Sequence, residues 1–338
     1  MKIDNVVALV RSHYAGDTKM FDTVVEQISA DESSKQNYTC VQRIRAAKEA
    51  GARNSHHMFR LDELAKNGSN ERVEPIDNLP SRKDLVLDDS VSEVFDRLVL
   101  ESQKRELLRS RGLTNNRKVL LFGDSGTGKT SFACAFAKEI GLPMYVVRLE
   151  KLVDSLLGKT SQNLYEVFKT MKIYPGVYLF DEFDSIGISR DDSRDVGEMR
   201  RIMASLLQFV ERDDSDGFIF ATTNMPQIID KALYRRFDEM VEFKRPTIEV
   251  VDKIAESIIG RRLLEGEKEM LSGMSHADAS NICKKAMKRA ILADRVEVCC
   301  DDILACARAA KDSRAAMESF KHDDENNTER GRSDEREE

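Results

Sequence analysis

Gly123-Asp124-Ser125-Gly126-Thr127-Gly128-Lys129-Thr130 follows the apolar run Val119-Leu120-Leu121-Phe122 and precedes the helix-compatible run Ser131-Phe132-Ala133-Cys134-Ala135-Phe136-Ala137-Lys138. The octapeptide has the spacing G-x-x-x-x-G-K-[ST] of a phosphate-binding loop. Its flanks read as a buried strand and a helix, which is the setting that pattern requires. Gly123, Gly126 and Gly128 allow turns that a Cβ would forbid. The loop N–H groups, with the helix N-terminus behind them, form a nest for anionic phosphate. Lys129 is then expected on the β- and γ-phosphates, and Thr130 on Mg²⁺. Asp124, Ser125, Thr127 and Ser131 complete the candidate nucleotide-binding set.

Working outward, the chain of 338 residues suits one or two domains plus appendages. Hydrophobic residues make up 41% and charged residues 33%, a globular composition with a well-charged surface. The net charge of −7 argues against a general polyanion binder. No apolar run approaches a membrane span, and the first residues lack the apolar core of a signal peptide, so a cytoplasmic protein is expected. Cys40, Cys134, Cys283, Cys299, Cys300 and Cys306 show no C-x-x-C spacing. They read as reduced thiols, not disulfides or zinc ligands.

Residues 1–66 read as a helical N-terminal module. Apolar stripes recur at helical spacing in Val6, Val7, Leu9 and Val10, in Phe21, Val24, Val25 and Ile28, and across Ser34 to Ala50. Asn67-Gly68-Ser69-Asn70, Pro75 and Pro80 mark residues 67–84 as a linker. Asp88-Asp89-Ser90 caps a long helix running to Arg111-Gly112.

Beyond the phosphate loop, Met144-Tyr145-Val146-Val147 reads as a second strand. Val177-Tyr178-Leu179-Phe180-Asp181-Glu182 is an apolar strand ending in two acids, one strand and one helix after the loop. Open α/β sheets place their ligands at such strand ends. Asp181 is expected to hold Mg²⁺ through its water shell, and Glu182 to orient and deprotonate an attacking water. Phe218 to Asn224 is a fourth strand, whose terminal Asn224 can hold the water or the γ-phosphate from the far side. Met240 to Phe243 is a fifth strand, preceded by Arg235-Arg236. The expected fold class is α/β: a five-stranded parallel sheet with helices on both faces over residues 85–246. A helical lid follows over 247–311, with helices at Val250 to Ile259, Ser275 to Ala293 and Asp301 to Ala310. The charged tail, 312–338, has the composition of a disordered segment.

These motifs, in this order, resemble the AAA+ ATPases over roughly residues 85 to 310, and the AAA subgroup proper in detail. The phosphate loop is similar to G-P-P-G-T-G-K-T, with Asp124-Ser125 in place of the prolines. Phe180-Asp181-Glu182-Phe183-Asp184 resembles F-D-E-x-D. Ala221-Thr222-Thr223-Asn224 resembles the sensor 1 segment. Ala232-Leu233-Tyr234-Arg235-Arg236-Phe237-Asp238 is similar to A-L-x-R-R-F-D, in which the arginines reach a neighbouring subunit's ATP. Gly273-Met274-Ser275-His276-Ala277-Asp278 resembles G-F-S-G-A-D, again without a sensor 2 arginine.

The resemblance implies ATP and Mg²⁺ as ligands and a homo-oligomer in the form of a hexameric ring. Arg235 and Arg236 would act in trans, and the N-terminal module would recognise a protein partner. Leu156-Leu157-Gly158 stands where polypeptide-threading members carry an aromatic residue, a departure that puts strong unfolding action in doubt. Leu85 to Leu113 is similar to stand-alone bacterial members, some paired with a subtilisin-like protease in defence against phage. Two other functions compete with a motor: a nucleotide-controlled regulatory switch, and a clamp-loader-like nucleic-acid remodeller. Overall acidity and the sensor 2 segment count against the second, so no nucleic-acid partner is expected.

Overall fold

The computed structural model describes residues 7, 9, 11–12, 18–34, 72–152, 159–182, 204–225 and 235–316. The chain separates into two compact units, 1–68 and 69–338. In the first unit, helix α1 (Thr18–Ser34) buries Val24 and Ile28, two members of the expected apolar stripe. Of the first expected stripe, Val7 is exposed and Leu9 half-buried. Val6, Val10, residues 35–50, the segment 153–158 with its Leu156-Leu157-Gly158, and the tail beyond 316 lie outside the described residues.

The second unit is organised around a six-stranded sheet: β1 (Val73–Ile76), β2 (Lys118–Gly123), β3 (Met144–Val147), β4 (Val177–Phe180), β5 (Phe218–Thr223) and β6 (Glu239–Phe243). The order across the sheet is β1-β3-β4-β5-β2-β6. Strands β2 to β6 are mutually parallel. They match the five strands expected, and Val119 to Leu121 and Val177 to Phe180 are fully buried, as runs covered on both faces should be.

The expectation of a plain linker over 67–84 needs correction. Val73–Ile76 pairs antiparallel with β3, with Pro75 opposite Tyr145, and adds a sixth strand. An edge strand tolerates a proline because one side of its backbone has no ladder to complete. Arg82–Asp84 then forms a 3₁₀ turn capped by Ser81.

Helix α2 (Asp89–Gln103) and α3 (Arg105–Ser110) replace the single long helix anticipated before β2. The break falls at Lys104, whose φ of −96° and ψ of 16° leave the helical region. Helix α4 (Lys129–Ile140) follows the phosphate loop and is buried on nearly every side. Its Phe132 meets Phe95 of α2 edge-on at 5.1 Å and Phe243 of β6 at 5.5 Å, and its Phe136 meets Phe218 of β5 at 5.0 Å. Each such ring contributes about 1.5–3 kcal/mol of burial, enough to hold α4, and the loop ahead of it, against the sheet. Helix α5 (Lys159–Ile173) connects β3 to β4, and α6 (204–212) precedes β5.

At the base of the sheet, Arg117 donates to the buried Asp213 carboxylate at 3.1 Å, to the Gly217 carbonyl at 3.0 Å and to the Ser215 carbonyl. Asp238 accepts the N–H groups of Arg117 and Lys118, each at 2.9 Å, which fixes the start of β2.

After β6 the chain is helical: α7 (Ile248–Ile259), α8 (Glu265–Leu271), α9 (His276–Leu292) and α10 (300–316). Their shared core contains Val251, Ala255, Ile282, Ala286 and Ile303. Helix α8 was not anticipated, and α10 runs on to residue 316, past the boundary expected for the tail. Ser275 caps α9 by accepting the Asp278 N–H at 3.1 Å.

Candidate nucleotide site

Strand β2 delivers the chain to the phosphate loop, and α4 takes it away with Lys129 in its first turn. Two glycines are required here. Gly123 has φ +134°, and a Cβ on it would collide with the Phe243 backbone. Gly128 starts α4 at φ +102°. Neither conformation suits a residue with a Cβ.

Lys129 is 7% exposed. Its ammonium donates to the carbonyls of Gly123 at 2.8 Å and Asp124 at 2.7 Å, and to Asn224 Oδ1 at 2.8 Å. Asn224 follows the last residue of β5, and Thr223 pairs with Phe122 in the parallel register of β2 and β5, so the sheet brings Asn224 beside the phosphate loop. Thr130 donates to both carboxylate oxygens of Asp181 at 3.2 Å. Thr222 donates to Asp181 Oδ1 at 2.5 Å and accepts the Glu182 N–H at 2.9 Å. Glu182 itself sits at φ +50°.

A cavity of about 650 Å³ opens over this cluster. Its walls include Ser125 to Ser131, Asp181, Glu182, Thr222 and Asn224. On the other side it is closed by Leu85 to Leu87, by Ile254 and Ile258 of α7, and by the start of α9. Helix α9 is joined directly to the loop, since the Ala277 N–H donates to the Gly126 carbonyl at 2.9 Å. The cavity therefore joins the polar cluster around Lys129, Thr130 and Asp181 to a wall in which apolar side chains are mixed with polar ones. That suits a ligand with a phosphate chain at one end and a flat, largely apolar base at the other.

His276 lines the cavity, and its Nδ1 is buried with no hydrogen-bond partner among the described residues. Burial pushes its pKa below the ordinary histidine value, against the opposing pull of Asp88. The ring is thus held toward its neutral form. Burial also raises the Cys134 thiol to about 11, with the Asp181 charge adding to the effect, so this cysteine stays protonated and inert.

Among the described residues no group of three or more His, Cys, Asp or Glu side chains could hold a metal ion. The Thr130 hydroxyl beside the Asp181 carboxylate is a pair of hard oxygen donors. Mg²⁺ takes one or two such ligands and completes its shell with water and phosphate oxygens, so the pair fits that ion.

Of the residues expected from sequence, the loop, Asp181, Glu182 and Asn224 line one cavity. Arg235 and Arg236 are not among its walls. Arg236 donates to Glu211 at 3.0 Å instead. Residues 183–203 and 226–234 lie outside the described residues, and with them Phe183, Asp184 and Ala232 to Tyr234. The sequence reading overlooked Thr222, His276 and Arg245. Thr222 was within reach of it, because residues two apart on a strand share a face and Asn224 had already been singled out.

Taken together, the geometry defines a P-loop nucleotide site between an α/β core and a helical cap. Comparison with known proteins narrows the class. The family described as "ATPase family associated with various cellular activities (AAA)" matches residues 119–245. The chain is 34% identical over 297 residues to "Uncharacterized AAA family ATPase y4kL" of Sinorhizobium fredii strain NGR234, covering 82% of this chain and 86% of that protein. It is 30% identical over 251 residues to the proteasome-activating nucleotidase of Saccharolobus solfataricus, covering 70% of this chain but only 63% of that one. Among solved structures, the FIGL-1 AAA domain superposes with a TM-score of 0.56 at 22% identity, over 77% of this chain and 94% of that domain, a likeness of fold. The chain belongs to the AAA family of ATPases.

Proposed function

We propose that this protein is a Mg²⁺-dependent ATP hydrolase, working as a homo-oligomeric ring that remodels a protein partner. The observation that carries the hydrolase reading is the convergence of Lys129, Asn224, Thr130 and Asp181 within 3.2 Å contacts at the polar end of one cavity. Lys129 and the loop N–H groups bind the β- and γ-phosphates. Thr130 and Asp181 hold Mg²⁺, which supplies charge neutralisation for the phosphates when bound. Glu182 is the base that orients and deprotonates water, and Asn224 positions that water or the γ-phosphate.

Arg235 and Arg236 lie apart from the chain's own cavity, which supports their use on a neighbouring subunit's ATP. The ring is hexameric in this reading. Residues 1–66 recognise the partner, 85–246 hydrolyse, 247–311 cap the site, and the residues after about Phe320 are dispensable for turnover. A relative named for activating a proteasome supports a protein-directed role. A subtilisin-like protease acting in defence against phage is the partner suggested by the likeness of residues 85–113 to stand-alone bacterial members. A cytoplasmic location accords with the described residues, in which no helix is long and apolar enough to cross a membrane.

Phosphate release measured with and without Mg²⁺, on the wild type and on Lys129→Ala, tests the hydrolase. Turnover should need both Mg²⁺ and Lys129. Undiminished ATP binding by a folded Lys129→Ala protein would refute the reading. Capture of the partner by the wild type but not by a chain lacking residues 1–66 tests the module.

A further inference from the structure

Two residues at the end of β4 and one on β5 form a unit that the proposed chemistry has not used. Phe180 pairs with Ala221 in the parallel register of β4 and β5, so Asp181 and Thr222 are the next residues along neighbouring strands. Thr222 is 1% exposed. Its hydroxyl has one proton to give and lone pairs to receive. The proton goes to Asp181 Oδ1 at 2.5 Å, and a lone pair takes the Glu182 N–H at 2.9 Å. One buried hydroxyl therefore holds both acidic residues, one by its carboxylate and the other by its backbone.

Each contact answers a specific need. An aspartate carboxylate rotates over a broad torsional well, so its two oxygens are not aimed by covalent geometry alone. Asp181 must nevertheless present an oxygen toward Thr130, its partner in the candidate metal site. Glu182 has φ +50°, a left-handed conformation that a residue with a Cβ adopts only when its surroundings impose it. The Thr222 hydroxyl supplies that constraint through the Glu182 N–H.

From this we infer that Thr222 is the positioning residue of the site, aiming Asp181 toward Mg²⁺ and locking the backbone turn that carries Glu182. The inference rests on the hydrolase reading above. The side-chain contacts of Thr222 run to the two acids, and it acts through them. Outer partners of metal ligands typically matter by about 10–100-fold in metal affinity or activity.

Thr222→Val keeps the shape and the β-branch that a buried strand favours, and removes only the hydroxyl. Thr222→Ser keeps the hydroxyl. Binding of a fluorescent ATP analogue, titrated with Mg²⁺ from an EDTA-treated state, gives a readout independent of turnover. Circular dichroism and melting curves show whether each variant is folded. The three proteins should bind the analogue alike without Mg²⁺. The Mg²⁺ concentration for half-maximal effect should rise about 10–100-fold in Thr222→Val, with kcat falling over a similar range and KM for ATP little changed. Thr222→Ser should lie within the wild-type order of magnitude on both. A Thr222→Val protein that matches a binding, hydrolysing wild type in Mg²⁺ dependence and kcat overturns the inference alone. Equal damage in both variants also overturns it, because a packing role would not distinguish hydroxyl from methyl. A wild type that binds no nucleotide overturns the hydrolase reading, and this inference with it.

Discussion

Arg245 ion-pairs with Asp124 at 2.6 Å, and the same guanidinium donates to the Gly273 carbonyl at 3.0 Å. A single side chain just beyond β6 thus ties the phosphate loop to the approach to α9. The pair also explains how an acidic residue is accommodated in a loop built to receive anions. Arg245 offsets a carboxylate that would otherwise repel phosphate. Both side chains are about half exposed, so the pair is worth about 0.2–1 kcal/mol and little of the fold depends on it.

Arg245→Ala should therefore weaken ATP binding about two- to fivefold while leaving the melting temperature nearly unchanged. Asp124→Asn in the same chain should restore affinity, because the unpaired charge is gone. Equilibrium binding on the two single variants and the double variant forms a cycle that isolates the interaction. Strictly additive losses would show that the two residues do not act on each other. The penalty should also shrink as salt is raised.

Glu182→Gln should separate binding from chemistry. The amide keeps the size of the side chain but cannot accept the water's proton. ATP affinity should persist while hydrolysis falls about 10²–10⁴-fold, the usual worth of a positioned base. The ATP-bound oligomer should accumulate, visible by gel filtration. Wild-type turnover in this variant would assign the base elsewhere.

Arg236 is held by Glu211 within its own chain, at 3.0 Å on an exposed carboxylate, and it must leave that partner to reach another subunit. Arg236→Ala should reduce hydrolysis by about 10³–10⁵-fold and spare ATP binding. Mixed with Lys129→Ala subunits, themselves inactive, it should regain partial activity, because some interfaces then join an intact loop to an intact arginine. Co-assembled mixtures that remain inactive would count against a trans arginine, and a fully active monomer would exclude it.

The helices after β6 should be acid-labile. Arg295 donates from both ends of its fork to Asp302 at 2.7 and 2.8 Å, and the Cys299 N–H adds a bond at 3.1 Å. These contacts hold the Asp302 carboxyl well below its ordinary range. Burial pushes Glu267 upward, but the Arg261 fork and the Leu264 N–H outweigh it, and this carboxyl too is held below its usual value. A pKa depressed by folding gives stability that is present above the unfolded value and lost as pH falls through the folded one. Melting temperatures should therefore hold steady down to about pH 5 and fall progressively below about pH 4, where free carboxylates begin to protonate. Asp302→Asn should melt lower at neutral pH and lose less on acidification. An unchanged pH profile in that variant would remove Asp302 from the account.

The sequence by itself determined the phosphate loop, the five parallel strands, the acids after β4, the asparagine after β5 and three of the helices that follow β6. These are local matters: apolar runs of strand length, glycines at a turn and a lysine at the head of a helix are written over a few consecutive residues. Tertiary structure decided the rest. Val73–Ile76 becomes a strand only because β3 offers an edge, and its proline and flanking polar residues argue locally for a linker. Thr222 meets Asp181, Arg245 meets Asp124, and Ala277 meets Gly126 across 41, 121 and more than a hundred positions of chain. Such contacts follow from the register of parallel strands and the docking of a helical cap. Both are set by the packing of the whole core, and no short stretch of residues encodes them.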